Sequence, residues 1–513
     1  MQPIRLVRGF VTVGGWTLAS RFLGFARDVM IAAFLGAGPV AQAFIVAFAL
    51  PNMFRRFFAE GAFNMAFIPM FSKRLEDGDG ARGFARDAMS GLTAVLIVFT
   101  LLGMALMPWL VLAMASGFAE DQRFDLAVLF GRIAFPYILL VSLTALLSGV
   151  LNAVGRFTAA AAAPVVLNVV LIVFIIAADR LHWDMGLTLT WSVPVAGIGQ
   201  LALVWIAAAR AGYGLVPRRP RLTPEMKRLV RIAGPALLAG GVVQINLLVG
   251  RQVASYFDRA VAWLYNADRL YQLPLGVVAI AIGVVLLPDL SRRLKAGDVA
   301  GGRASFSRAT EFALAMTVPA AVALIVIPMP LIQVLFQRGA FTPADVSPTA
   351  LAVAVYGAGL PAFVMQKVLQ PLFFAREDTR RPFYYAVVAM VVNAAVAVGL
   401  APFAGFIAAA MGTTLAGWAM VWLLMAGARG MGPAASFDER FRARAPRIVL
   451  ASGAMGLCLF LAEMVMRDLF VMAGIKYLAL IALICVGAVS YFAAGAVIGA
   501  FKLADFRSAL RRG

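Results

Sequence analysis

The chain has 513 residues, of which 62% are hydrophobic and 14% charged, and its mean hydropathy is +0.90. Soluble domains carry roughly 45–50% apolar and about 25% charged residues, so a soluble enzyme, a disordered tail and a disulfide scaffold are all excluded. The net charge of +20 is spread between apolar runs along the whole chain, which points to membrane topology and not to nucleic acid.

A helix needs about 20 apolar residues to cross the hydrocarbon core. The first 72 residues make two helices that turn at Gly36-Ala-Gly-Pro39. Their charges Arg21, Arg27 and Asp28, and the lack of a small-residue cleavage site, make the first stretch a transmembrane helix and not a signal peptide. Charge-free runs follow at 88–119, 133–155, 157–178 and 185–209. Runs at 232–250 and 270–288 become spans if a charge near one end is tolerated. Then come 312–337 and 346–366, and the 47-residue run 382–428, which Leu400-Ala-Pro-Phe-Ala-Gly405 divides in two. Runs at 448–462 and 477–501 complete fourteen spans. With the N-terminus inside, 31 Lys and Arg fall on inner segments and 7 on outer ones, so the positive-inside rule places both termini in the cytoplasm.

Two segments 219 positions apart resemble each other: Ile68-Pro-Met-Phe-Ser-Lys-Arg-Leu75 and Leu287-Pro-Asp-Leu-Ser-Arg-Arg-Leu294. Weaker echoes pair Arg156 with Arg376 and Asn168 with Asn393. The offset spans six helices, an even number, so the copies share one orientation, as in parallel-repeat transporters. The expected architecture is all-α: a six-helix bundle over 1–215, its repeat over 216–432, and two appended helices over 433–513. The substrate path is expected between the bundles, near the midplane.

Few residues are available for cofactor chemistry. The chain holds one histidine, His182, and two cysteines, Cys458 and Cys485, both expected as small buried hydrophobes. No metal site, no catalytic group and no GxxxxGK[ST] nucleotide loop is expected.

Seven cations remain inside spans: Arg21, Arg27, Arg55, Arg56, Arg251, Arg269 and Lys367, with the acids Asp28, Glu60 and Asp268. A central charge costs about 2.5–3.5 kcal/mol on insertion scales, and four arginines in the first two spans cost on the order of 10 kcal/mol together. Arg21 and Asp28 are seven apart and share a helix face. The stretch Arg55–Glu60 corresponds in the repeat to the apolar region Gly276–Ile282, so the fold itself does not require charge there. One reading is a set of structural ion pairs, Arg21–Asp28, Arg56–Glu60 and Asp268–Arg269. The other is a cavity with surplus positive charge for an anionic, phosphorylated substrate, because guanidinium groups grip phosphate bidentately. Lys367 serves the cavity or snorkels to the inner interface.

The chain resembles the MurJ (MviN) lipid II flippases of the multidrug/oligosaccharidyl-lipid/polysaccharide exporter superfamily, essentially end to end. The resemblance rests on Ser20-Arg-Phe-Leu-Gly-Phe-Ala-Arg-Asp28, Leu50-Pro-Asn-Met-Phe-Arg-Arg-Phe-Phe-Ala-Glu-Gly-Ala-Phe63, Ala267-Asp-Arg-Leu270, Leu335-Phe-Gln-Arg-Gly-Ala-Phe-Thr342 and Phe374-Ala-Arg-Glu-Asp-Thr-Arg-Arg-Pro382. It implies a flippase that moves undecaprenyl-diphosphate-linked disaccharide-pentapeptide across the bacterial inner membrane by alternating access. Arg21, Arg27, Asp28, Arg55 and Arg269 would be its essential cavity set, with Asn52 nearby. It further implies no cofactor, with coupling to membrane potential or an ion gradient, and contact with membrane lipids and the cell-wall synthesis machinery.

Two departures stand out. Gln42 replaces an acid found in many relatives. Some members hold sodium with an Asn and an Asp one turn apart; here Asn393 is followed at that spacing by Ala397. The competing functions are export of another lipid-linked glycan, a multidrug antiporter and, last, a membrane enzyme. A drug antiporter would favour acids in its cavity, against the arginine excess.

Overall fold

The computed structural model describes residues 3–55, 62–78, 80–472 and 474–500. Among them every regular element is helical, in eighteen α-helices and a few short 3-10 turns. In chain order the first nine are α1 (Pro3–Leu35), α2 (Pro39–Arg55), α3 (Ala62–Asp77), α4 (Ala81–Ala105), α5 (Met107–Ala115), α6 (Gln122–Ala134), α7 (Tyr137–Ala153), α8 (Thr158–Leu181) and α9 (Met185–Arg210). The rest are α10 (Pro224–Ser255), α11 (Ala260–Lys295), α12 (Val299–Val326), α13 (Pro328–Phe336), α14 (Pro343–Phe374), α15 (Arg380–Ala404), α16 (Ile407–Ala428), α17 (Glu439–Met466) and α18 (Ile475–Ile498). Among the described residues, ten helical segments are long and apolar enough to cross a membrane. The protein is a multi-pass membrane protein.

The helix ends follow local chemistry. Gly36, at φ +63°, turns the chain between α1 and α2, and Gly405, also at φ +63°, separates α15 from α16. Both positions need the left-handed region that glycine enters without a Cβ clash. Polar turns supply N-caps: Asp184 accepts from Leu187 N at 2.6 Å, and Asp438 accepts from Phe441 N at 2.7 Å. Thr342 and Asp345 form a reciprocal capping box at the start of α14. His182 caps α8 in the left-handed conformation, at φ +53°.

Three apolar runs that read as single spans are broken. The run 88–119 divides at Leu106 before Pro108, 133–155 at Phe135-Pro136, and 312–337 at Ile327 before Pro328. Proline cannot donate to the preceding turn, but it is preorganised for the first turn of a new helix. The first two breaks fit into each other. A Cβ on Gly103 would stand 2.1 Å from Phe135 Cε1, and one on Gly131 would stand 2.5 Å from Met107 Sδ.

Helix starts correspond across the chain: α4 at 81 with α12 at 299, α5 at 107 with α13 at 328, α8 at 158 with α15 at 380, and α9 at 185 with α16 at 407. All four lie close to the 219-position spacing read from the sequence motifs. Packing divides the chain into two units, Met1–Ala262 and Trp263–Gly513. In the first, α8 packs on α1 and α9, α2 on α6, and α7 on α9; α10 packs on α3 and α5. Thus α10 belongs to the first unit by contact, although the repeat counts it as the first helix of the second copy. In the second unit α14 packs on α12 and α16, α15 on α16, and α17 joins α12 to α18.

Cys458 on α17 and Cys485 on α18 are exposed, contrary to the expectation of buried thiols. Both lie on apolar outward faces, where acyl chains replace a protein core as the apolar surroundings.

Candidate functional site

The intramembrane charges fall into one group in each unit. In the first unit, α1 carries Arg21, Arg27 and Asp28. The Arg27 guanidinium folds back on its neighbour, with Nη2 at 2.7 Å and Nε at 3.0 Å from Asp28 Oδ1. Its Nη1 donates to Asn168 Oδ1 on α8 at 2.8 Å, and its charge lies 5.9 Å from the centre of the Phe48 ring on α2. Arg27, Asp28 and Asn168 are all buried. The pairing expected between Arg21 and Asp28 is replaced by Arg27–Asp28, because a long guanidinium stem can reach a carboxylate whose Cα direction differs by about 100°.

Arg21 behaves differently. It is half-buried and, among the described residues, makes no hydrogen bond and no ion pair; its Nε is buried. A cation at that position of an apolar helix can donate hydrogen bonds to an anion.

Asn52 is half-buried on α2, and its Nδ2 donates to Phe48 O at 2.8 Å within its own helix. Arg55 is half-buried at the last residue of α2. Arg56 and Glu60 lie outside the described residues, as does their expected pairing.

Gln42 is fully buried and accepts from Arg123 Nη1 at 3.3 Å. Arg123 also donates to Asp121 Oδ2 at 2.7 Å and stacks 4.3 Å from the centre of the Phe118 ring. Beside it α10 ends against the 3-10 turn Ser116–Phe118. Gly117 N donates to Ser255 Oγ at 3.0 Å, Ser116 N donates to Gln252 Oε1 at 3.0 Å, and the Ser116 and Tyr256 hydroxyls are 2.7 Å apart.

In the second unit the group stands on α11. Asp268 accepts from Gln272 Nε2. Arg269 lies over the Tyr265 ring, 4.4 Å from its centre. Aromatic contacts fix this helix against α14, with Tyr271 5.2 Å from Tyr356 and 5.6 Å from Phe363. At the start of α11, Trp263 Nε1 donates to Asp345 Oδ1 at 2.9 Å, which ties the helix to the capping box of α14. Asp268 and Arg269 are adjacent and both half-buried. Lys367 on α14 is exposed. Arg376, in the turn after α14, bonds Leu372 O and Met431 O, and burial pulls its pKa below the ordinary arginine value.

The surroundings of Asn393 are tightly packed. Asn393 and Ala397 are buried, and a Cβ on Gly412 would stand 2.7 Å from Asn393 Oδ1 and 3.0 Å from Ala397 Cβ. The backbone of α16 and a methyl group therefore occupy the space where a carboxylate ligand would stand.

Residues 31–481 match the family described as Lipid II flippase MurJ. The chain belongs to the MurJ lipid II flippase family. It is 43% identical to a probable lipid II flippase MurJ of Rhizobium meliloti over 99% of this chain and 97% of that protein. It is 37% identical to the lipid II flippase MurJ of Burkholderia cenocepacia over 76% of this chain and 77% of that one. The fold is similar to that of a lipid II flippase MurJ solved in an inward closed conformation, with TM-score 0.80 and 22% identity over 95% of this chain and 98% of that chain. A multidrug resistance MATE family transporter of the MOP superfamily, in an inward-facing conformation, shares the fold at TM-score 0.69 and 14% identity, covering 83% of this chain and 98% of its own.

The sequence marks Asn168 only as an echo of Asn393, whereas the structure joins it to Arg27. It is the one amide in the run 157–178, and a lone hydrogen-bonding side chain in an apolar span was the available signal.

Proposed function

We propose that this protein is a lipid II flippase of the bacterial inner membrane, with both termini in the cytoplasm. It carries undecaprenyl-diphosphate-linked disaccharide-pentapeptide from the inner to the outer leaflet by alternating access and does no covalent chemistry. The observation that carries this reading is Arg21: a half-buried cation in an apolar helix with no acid paired to it among the described residues. A diphosphate offers paired oxygens that match the planar guanidinium fork, and low local dielectric strengthens that contact. Arg269, which lies over the Tyr265 ring, is a second cation of the proposed binding set. Arg27, Asp28, Asn52, Arg55, Arg56, Glu60, Asp268 and Lys367 stay in the proposed binding set. Membrane potential acting on an anionic cargo is the drive most in keeping with the packed surroundings of Asn393.

The test uses cells depleted of the protein and an externally added enzyme that cleaves exposed lipid II. Depletion should leave lipid II accumulated and protected, wild-type protein should restore cleavage, and Arg21→Ala or Arg269→Ala should insert normally without restoring it. Unchanged cleavage on depletion, in a strain with no second flippase, would reject lipid II as the cargo. Full restoration by both variants would reject the arginine site.

A further inference from the structure

The α1–α8 seam contains a complete polar circuit in apolar surroundings. Asn168 uses both ends of its amide: Nδ2 donates to Ser20 O at 2.9 Å, and Oδ1 accepts from Arg27 Nη1 at 2.8 Å. The orientation of that amide is dictated by its partners, because a flip would set NH2 against guanidinium and oxygen against carbonyl. On its other edge Arg27 is held by Asp28. Gly24 faces the amide across the seam; a Cβ there would lie in ordinary contact, 3.5 Å from Asn168 Nδ2.

We infer that Asn168 is a positioning residue, which holds Arg27 so as to set the rotation of α1 and thereby the direction of Arg21. This rests on the flippase reading. Arg27 and Arg21 are six residues apart, which places them about 120° apart around the helix. Arg27 faces α8 and is fully engaged with protein groups at two edges, whereas Arg21 points along a different face. The two arginines of α1 are thus linked: the hold on Arg27 fixes the helix rotation that sets the direction of Arg21. A rotation of α1 by one residue step, 100°, would withdraw Arg21 from its present direction. Loss of the Asn168 acceptor leaves part of a buried guanidinium without a partner, which the helix relieves by turning or separating.

A double-mutant cycle on the full-length protein tests this, with Asn168→Leu, Arg27→Met and both together. Two readouts are taken: lipid II exposure in depleted cells, and melting temperature in detergent, which requires no substrate. Each single variant should reduce translocation by about tenfold or more, with the double within about twofold of the worse single, since both remove one coupled arrangement. Losses that multiply, or wild-type translocation by Asn168→Leu, would overturn the inference. If Asn168→Leu does not reach the membrane, Asn168→Asp serves: it keeps the acceptor for Arg27 and should melt near wild type. The same substitution in the Arg27→Met background should melt clearly below Arg27→Met alone, and equal shifts in both backgrounds would overturn the inference. If wild type itself leaves lipid II exposure unchanged while the melting cycle shows coupling, the cargo assignment fails and the hold on Arg27 stands.

Discussion

Arg444 Nη1 donates to Glu311 Oε1 at 2.7 Å, and this pair fastens α17 to α12 with both side chains largely buried. Arg440 reaches the same carboxylate at 3.3 Å from a more exposed position. Breaking a buried pair from one side typically costs about 3–5 kcal/mol, because the remaining charge keeps its desolvation penalty. Glu311→Leu is therefore expected to lower the melting temperature strongly, and Arg440→Met much less. Melting in detergent checks the order, and equal effects would show that Glu311 answers to Arg440 as much as to Arg444.

Gly117 touches the end of α10 backbone to backbone. A Cβ there would lie 2.5 Å from Ser255 C and from Tyr256 N, and neither atom can turn aside as a side chain would. Gly117→Val should destabilise this end of the first unit by about 1–3 kcal/mol, the usual cost of overpacking. Hydrogen exchange at the last turn of α10 reads it directly, since the Ser255 and Gln252 hydrogen bonds to the 3-10 turn must lengthen. Unchanged protection there would contradict the contact.

Asp121 caps α6 and binds the Arg123 side chain, which with the Arg123 backbone N–H holds its pKa below the ordinary 3.8. A depressed carboxylate contributes stability that is complete above the unfolded value and is lost as pH falls through the folded value. The melting-temperature gap between wild type and Asp121→Asn should thus be constant above about pH 5 and close below about pH 3.8. A gap that persisted at lower pH would mean that shape, and not charge, carries the cap.

The packing of Asn393 against Gly412 and Ala397 leads to an expectation about ions. Exchange of sodium for potassium or choline should leave translocation and melting temperature unchanged, because Ala397 supplies no carboxylate beside the amide to bind a hard cation. A fall in translocation on sodium removal would place a cation site elsewhere in the chain.

The architecture was largely legible because apolar run length is a strong signal in a lipid solvent. The divide at Leu400–Gly405 and the turn at Gly36 appeared where proline or glycine interrupted the pattern. The breaks at Leu106, Phe135 and Ile327 were harder to see, because their prolines sit inside uninterrupted apolar runs and hydropathy does not register a missing N–H. The charges of α1 were found, but their pairing was not. Helical spacing gives the direction of a Cα–Cβ bond, whereas the reach of an arginine side chain decides which carboxylate it meets. The role of Asn168 depends on an interhelical approach that no single-helix pattern contains.

The interlocking breaks of α4–α5 and α6–α7 have a consequence for sequence divergence. Phe135 fills the space that Gly103 leaves, and Met107 fills the space left by Gly131. A larger residue at 103 or 131 is admissible only with a smaller one across from it. Among relatives these positions should drift as two linked pairs, 103 with 135 and 107 with 131. A lineage that changed one member alone would pass through a clashing intermediate or one with a void.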